Sequence, residues 1–367
     1  MRVTWDRVLA WRLARQFVEP RGDGDAVAVA ERLCGVQAQV SLAAETAVAL
    51  RHSSAAPGAV AEALGAGRLM KTWAMRGTLH ALTPDFAAAT LSLLASARTW
   101  EKPAWEKNFG ASPAEVAALA DAVGQVLEAA VLTRAELVEA LSAEPRFHRM
   151  GEELRSGWGA LLKPLAWQGV LCHGPARGSN ITFTTPAHHI PDWPGLPTPE
   201  TAGPQVVSAY LRAYGPATPE AFNAWLLRGS HRKTTVRQWF SALDLTEIDV
   251  EGRKAWLHTD DTESLAAATP TDSIRLLGPF DQYILAPGTN DTALLPAEHR
   301  AKVSRTAGWI SPLVLTAGRV GGTWDLNDET LMVTMFDGKP VSESALRAEA
   351  DHVARATDRP VRDVKIV

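Results

Sequence analysis

The chain has 367 residues, a net charge of −4, 46% hydrophobic residues and 21% charged residues. This balance excludes a disordered or strongly basic chain, and the length predicts two to four modules. Two cysteines, Cys34 and Cys172, exclude a four-cysteine zinc site and point to a reducing, cytoplasmic setting; no run reaches the ~18 apolar residues of a membrane helix, and Met1–Arg7 lacks a signal peptide's apolar core.

In chain order, Val8, Leu9, Leu13 and Phe17 mark an amphipathic helix over 6–17. A second helix is expected from Asp25 to Cys34, with Gly35 as its stop. Gly35-Val36-Gln37-Ala38-Gln39-Val40 follows, apolar except for two amides. Ser41 is expected to cap a helix through Leu50, and a short helix covers Gly58 to Leu64. Lys71 to Leu82 reads as strand or hairpin, and Thr83-Pro84 opens another helix. Helix–helix–helix–strand is the order of a winged helix.

Two capping boxes, Ser112-Pro113-Ala114-Glu115 and Thr133-Arg134-Ala135-Glu136, start helices to Ala130 and Leu141. A single helix from Glu152 to Gln168 and a hairpin through Val170–His173 and Ile181–Thr184 complete a second winged-helix candidate. Helices over 205–214, 218–227 and 233–243, then a hairpin turning at Glu251-Gly252, make a third. Strand-like runs at 276–285, 309–316, 319–326 and 331–336, a helix over 342–356 and a strand at 361–367 predict a small β-barrel or sheet. The expected fold class is therefore mainly α with β (α+β). It divides into winged helices at 1–110, 111–192 and 200–262, and a terminal unit at 272–367.

Three stretches carry no acid. Residues 63–84 hold Arg68, Lys71, Arg76 and His80. Residues 172–191 hold His173, Arg177, His188 and His189, and residues 221–243 hold Arg228, His231, Arg232, Lys233 and Arg237. They fall on wings and recognition helices, so DNA contact is expected through Arg68, Lys71, Arg76, His80, Arg177, Arg228, Arg232, Lys233 and Arg237. His188-His189 has no helical carboxylate partner at ligand spacing, so no metal is expected. Dinucleotide fingerprint, P-loop and Gly-x-Ser-x-Gly elbow are all lacking. Asp281 reads as a buried, hydrogen-bonded acid at a turn. In an extended backbone Gln37 and Gln39 point to one side, where two neutral amides can satisfy local backbone groups or hold a water.

The chain resembles the tandem winged-helix DNA glycosylases of the YcaQ and AlkZ type, which unhook interstrand crosslinks, and is most like their azinomycin-resistance branch. The likeness is carried by Val8–Gln16, Val36-Gln37-Ala38-Gln39, Trp73–His80, Tyr214–Thr218, Leu277–Asp281, Trp309–Pro312 and Gly321–Trp324. The resemblance implies three winged helices plus a C-terminal β-barrel around a concave channel, with Gln37 and Gln39 catalytic. The other branch carries Asp at the position of Gln39. It further implies a monofunctional glycosylase without cofactor, acting as a monomer on double-stranded DNA with N7-alkylpurine adducts or crosslinks. A winged-helix transcription regulator or an azinomycin or DNA-adduct binding protein would account for the same basic elements. The regulator does not account for the two amides, and it usually predicts dimer symmetry.

Overall fold

The structure, a computed structural model, describes residues 1–338 and 341–367. Its helices start where side chains satisfy the first free backbone N–H groups. Thr4 caps α1 (Trp5–Arg15) and Asp25 caps α2 (Ala26–Arg32). Both capping boxes form, at Ser112/Glu115 and Thr133/Glu136. Ser41 is not a cap: it is the first residue of α3 (Ser41–Ala49), and Val40 before it offers no side-chain acceptor.

The strands in chain order are β1 (Arg2–Val3), β2 (Val36–Gln37), β3 (Met70–Trp73), β4 (Leu79–Leu82), β5 (Leu132–Thr133), β6 (Cys172–Arg177) and β7 (Asn180–Thr184). After them come β8 (Leu245–Val250), β9 (Arg253–His258), β10 (Ile274–Leu277), β11 (Leu313–Thr316), β12 (Arg319–Asn327), β13 (Thr330–Met335) and β14 (Asp363–Ile366). They form three sheets. The first two hairpins share one, in the order β2-β4-β3-β6-β7-β5, joined where Lys71 of β3 faces His173 of β6. The third hairpin, β8–β9, takes β1 from the N-terminus as a parallel edge. The last sheet runs β10-β11-β12-β13-β14.

That last sheet corrects the expected barrel. It is open, with β10 and β14 as separate edges, and β14 joins β13 in parallel. The helix over 343–357 packs Leu346, Ala350 and Val353 against Ile274, Leu276 and Val333 of this sheet, so one face is covered without closure. Two further expectations change. The 276–285 run leaves the sheet after Leu277, and Asp281 caps a short helix over Gln282–Leu285. The single helix over 152–168 is two, Gly151–Arg155 and Leu162–Trp167. Gly159 sits between them at φ +62°, so close to Trp73 that a Cβ would come within 2.5 Å of its ring. The break lets the chain pass over Trp73.

One core runs from the first hairpin through the 113–127 helix into the helix over Pro199–Tyr214. α1 bridges the remaining parts. Its Leu9 and Leu13 pack with Leu277, Tyr283 and Phe336, while Val8 and Trp11 pack with Ile248, Val250 and Leu257.

Candidate active site

The site begins at the end of α2. Cys34 and Gly35 both adopt positive φ, 54° and 94°, and turn the chain into β2. A Cβ on Gly35 would lie 2.4 Å from Leu82 Cδ2, so glycine alone fits there. β2 then pairs antiparallel with β4, Val36 opposite Ala81 and Gln37 opposite His80. One more rung follows, Ala38 N–H donating to Leu79 O at 2.8 Å. The next backbone acceptor is replaced by a side chain: Leu79 N–H donates to Gln39 Oε1 at 3.4 Å. Gln39 thus ends the ladder and remains exposed. Gln37 is only 7% exposed, and its buried Oε1 has no donor among the described residues.

Gln37 ends β2 and Gln39 follows two residues on, at the bend after the strand, the spacing that turns side chains to one side of an extended chain. The Gln39 carbonyl keeps a second lone pair beyond its bond to Leu79. The Gln37 carbonyl is uncommitted among the described residues. No carboxylate lies between Glu31 and Glu45, so the local polarity is that of neutral dipoles.

α3 follows at once and is anchored from far along the chain. Arg51, just past its end, donates through Nη1 and Nη2 to the two Asp281 oxygens at 2.7 Å each, and both side chains are fully buried. Asp281 also accepts from Tyr283 N–H at 2.8 Å. Gly278 packs so near that a Cβ would come within 2.9 Å of Thr46 on α3. Asp281 is therefore a structural acid, and the Leu277–Asp281 segment buttresses the helix behind the two glutamines.

The basic candidates separate into three groups. His80 corrects the expectation of DNA contact. It is fully buried, its Nδ1–H donates to Thr78 O at 3.0 Å, and burial, with the Arg76 charge adding, pushes its pKa down to about 3. A neutral, enclosed ring cannot meet a phosphate. Paired cations form the second group. Arg68 pairs with Asp25 and Glu62, Arg177 with Glu136, and Arg237 with Glu220. Lys71 is half-buried, with Nζ 3.3 Å from Ser41 Oγ. It lines a cleft of about 430 Å³ with Ala38, His173 and Ile181. Lys71 aligns with Ala81 and Val36, one residue out of step with the Gln37–His80–Thr72 row, so it points to the opposite face of the sheet.

The third group is exposed and unpaired. Arg228 ends the helix over Pro219–Leu227 with φ 51°, and Arg232 and Lys233 open the helix over Lys233–Ser241. All three are exposed, and among the described residues none holds a carboxylate. Arg76 is half-buried and donates to Leu285 O at 3.1 Å; burial, with Arg228 also lowering it, brings its pKa down to about 10. Lys163, half-buried like Arg76, lies beside it, and sequence reasoning missed it. Its stem lies 3.7 Å from where a Gly77 Cβ would stand, and burial followed by Arg228 lowers its pKa. The signal was within reach: residues 154–191 hold no acid, so the acid-free run that contains His173 and Arg177 extends back past Lys163. Arg76 and Lys163 stand beside Gly77 at the tip of the first hairpin, near enough to Arg228 for its charge to lower both, and Leu79, two residues on, donates to Gln39.

A model of the family described as DNA glycosylase AlkZ-like matches residues 30–359. The interstrand DNA cross-link repair glycosylase of Streptomyces sahachiroi is 51% identical over 371 residues, covering 100% of both chains. The solved structure of the Streptomyces sahachiroi DNA glycosylase AlkZ superposes with a TM-score of 0.97, again at 51% identity and 100% coverage of both chains. With a family model over residues 30–359 and a relative 51% identical over the full length of both chains, the chain belongs to the AlkZ-like family of DNA glycosylases.

Proposed function

We propose that this protein hydrolyses the N-glycosidic bond of N7-alkylated purines in double-stranded DNA and unhooks crosslinks of the azinomycin type. The observation that carries the reading is the pair Gln37 and Gln39 on one edge, with the Gln37 carbonyl free of any donor among the described residues. The relative's name speaks of interstrand cross-link repair, and the full-length identity supports carrying that substrate to this chain.

Alkylation at N7 makes the purine cationic and a good leaving group, so no general acid is needed. Departure of the base leaves an oxocarbenium-like sugar, as in glycoside hydrolysis. Two fixed carbonyl dipoles then stabilise positive charge and place a water for attack. Neutral dipoles accelerate such labile adducts and leave ordinary nucleotides alone. Lys71, the lysine closest in sequence to Gln39, lies on the opposite sheet face, which supports hydrolysis without a lyase step.

The helix–helix–hairpin order at 1–110, 111–192 and 200–262 supports three winged-helix modules, followed by a terminal unit at 272–367. Around a concave channel they would bring the hairpin tip and residues 228–233 to one duplex. We infer that the protein acts as a monomer. The test is to incubate purified protein with a duplex carrying N7-methylguanine and measure free base. Release above the spontaneous rate supports the proposal. Tight binding without release would make the protein a regulator or an adduct binder instead.

A further inference from the structure

His80 stands in a position that its burial alone does not explain. It is opposite Gln37 on β2 and opposite Thr72 on β3, so the three side chains form one row on one face. The Ala38 N–H bond to Leu79 O flanks the Gln37–His80 pair rather than joining it. That is the narrow type of antiparallel pairing, in which side chains come closest. Along this row three buried polar atoms have no partner among the described residues: Gln37 Oε1, His80 Nε2 and Thr72 Oγ1.

The protonation pattern of His80 follows from geometry. Nδ1 faces the Thr78 carbonyl at 3.0 Å, so Nδ1 must carry the hydrogen. Nε2 is then a bare lone pair that can only accept. A buried acceptor without a donor is costly. Gln37 faces it with an amide whose oxygen is the enclosed atom and whose nitrogen is not. Turning the amide about its last torsion exchanges the two at no cost in volume, and the NH2 then faces inward toward the acceptor.

Resting on the reading of Gln37 and Gln39 as the catalytic pair, we infer that His80 is a positioning residue whose Nε2 accepts a hydrogen from the Gln37 amide and so turns the Gln37 carbonyl outward, to the substrate. The histidine never touches DNA. It decides which end of a two-ended side chain meets the developing positive charge. A free amide presents oxygen or nitrogen with similar ease, and nitrogen outward repels a cationic sugar. The low basicity of the ring suits the task, because an imidazolium at this place would donate instead and reverse the amide.

The test is single-turnover release of N7-methylguanine from duplex DNA by the intact protein. His80→Phe keeps a planar ring and removes the acceptor. It is expected to slow release roughly tenfold while leaving the DNA Kd unchanged. His80→Gln places a carbonyl near the position of Nε2 and should recover most of the rate. Gln37→Ala combined with His80→Phe should be no slower than Gln37→Ala alone, because one residue acts through the other. Thr72→Val, which removes the other side chain flanking His80 in the row, should release base at the parent rate. If His80→Phe fails to fold, by its thermal midpoint, His80→Asn replaces it: too short to reach, it must be slow where His80→Gln is fast. His80→Phe at the parent rate, losses that multiply in the double variant, or a Thr72→Val loss matching His80→Phe would each overturn the inference. Gln37→Ala at the parent rate would overturn the catalytic reading itself, and this inference with it. A slow Gln37→Ala beside a fast His80→Phe removes only the role of His80.

Discussion

Gln39 holds its place by spending part of its carbonyl on Leu79 N–H, while Gln37 holds its place by burial. Both are supported without charge, so replacing either with Ala should slow base release and leave DNA affinity nearly intact. A loss of ~10²-fold corresponds to roughly 2.7 kcal/mol of transition-state stabilisation. Full activity in the double Ala variant would end the mechanism. Borohydride trapping on an abasic duplex should give no covalent complex, since Schiff-base chemistry needs an amine at the sugar and Lys71 points to the other sheet face. A trapped species lost in Lys71→Ala would show the opposite. The buried histidines also make stability depend on pH. Burial holds His80 and His173 at about 3, and His231 and His352 at about 4, below the ordinary value of 6.5. The unfolded chain therefore binds the extra protons. Stability should be complete above about pH 6.5 and fall as pH drops toward 4, by about 2 kcal/mol at pH 5 for each such group. Urea midpoints at pH 7 and pH 5 measure this, and an equal or higher midpoint at pH 5 refutes it. The two amides stood out in the sequence because they interrupt an apolar run. His80 was misread there, because a histidine among cations looks alike whether its strand is an edge or, as here, lies between two others.

At the scale of elements, the chain is legible wherever the determinants are local. The capping boxes at Ser112 and Thr133, the hairpin turn at Glu251-Gly252 and the stop at Gly35 need only a few neighbouring residues, and each forms as expected. The helix break at Gly159 was hidden, because its cause is Trp73, far earlier in sequence. The joining of the first two hairpins into one sheet was hidden for the same reason. Charge needs both kinds of information. The acid-free stretches located the basic elements, but the carboxylates that occupy Arg68, Arg177 and Arg237 come from other elements. That leaves the start of the helix over Lys233–Ser241 as the clearest candidate for phosphate contact, with Arg232 and Lys233 exposed. Log affinity for duplex DNA should fall with log salt by about 0.9 per phosphate neutralised. Replacing Arg232 and Lys233 together should flatten the slope by about 2 and weaken binding equally across sequences. An unchanged slope would put the DNA track elsewhere.

At the scale of the whole molecule, the strand edge that carries Gln37 and Gln39 is held from both ends of the chain. α3, which follows Gln39, is fixed by the buried Arg51–Asp281 pair, and α1 packs on the terminal unit and on the third hairpin. The glutamines thus lie on a frame rather than on a lid. This bears on which lesions the protein can take. A crosslinked base is tied to the opposite strand and cannot swing freely into a deep pocket, as an ordinary flipped base does. It must be cleaved where it lies, which requires a shallow, open site on a rigid support. Gln39 is exposed at the end of its strand, Gln37 sits just behind it, and the cations Arg76, Lys163 and Arg228 flank the adjoining hairpin tip. These features support attack on a bulky, tethered adduct, first on one strand and then on the other. The check is a denaturing gel of a duplex crosslinked through two N7 purine positions by azinomycin or a nitrogen mustard. After incubation the crosslinked band should resolve into single strands, with alkali revealing abasic sites. If the crosslink persists while a monoadduct is released under the same conditions, the open-site argument fails and the protein acts as a glycosylase of simple alkylpurines.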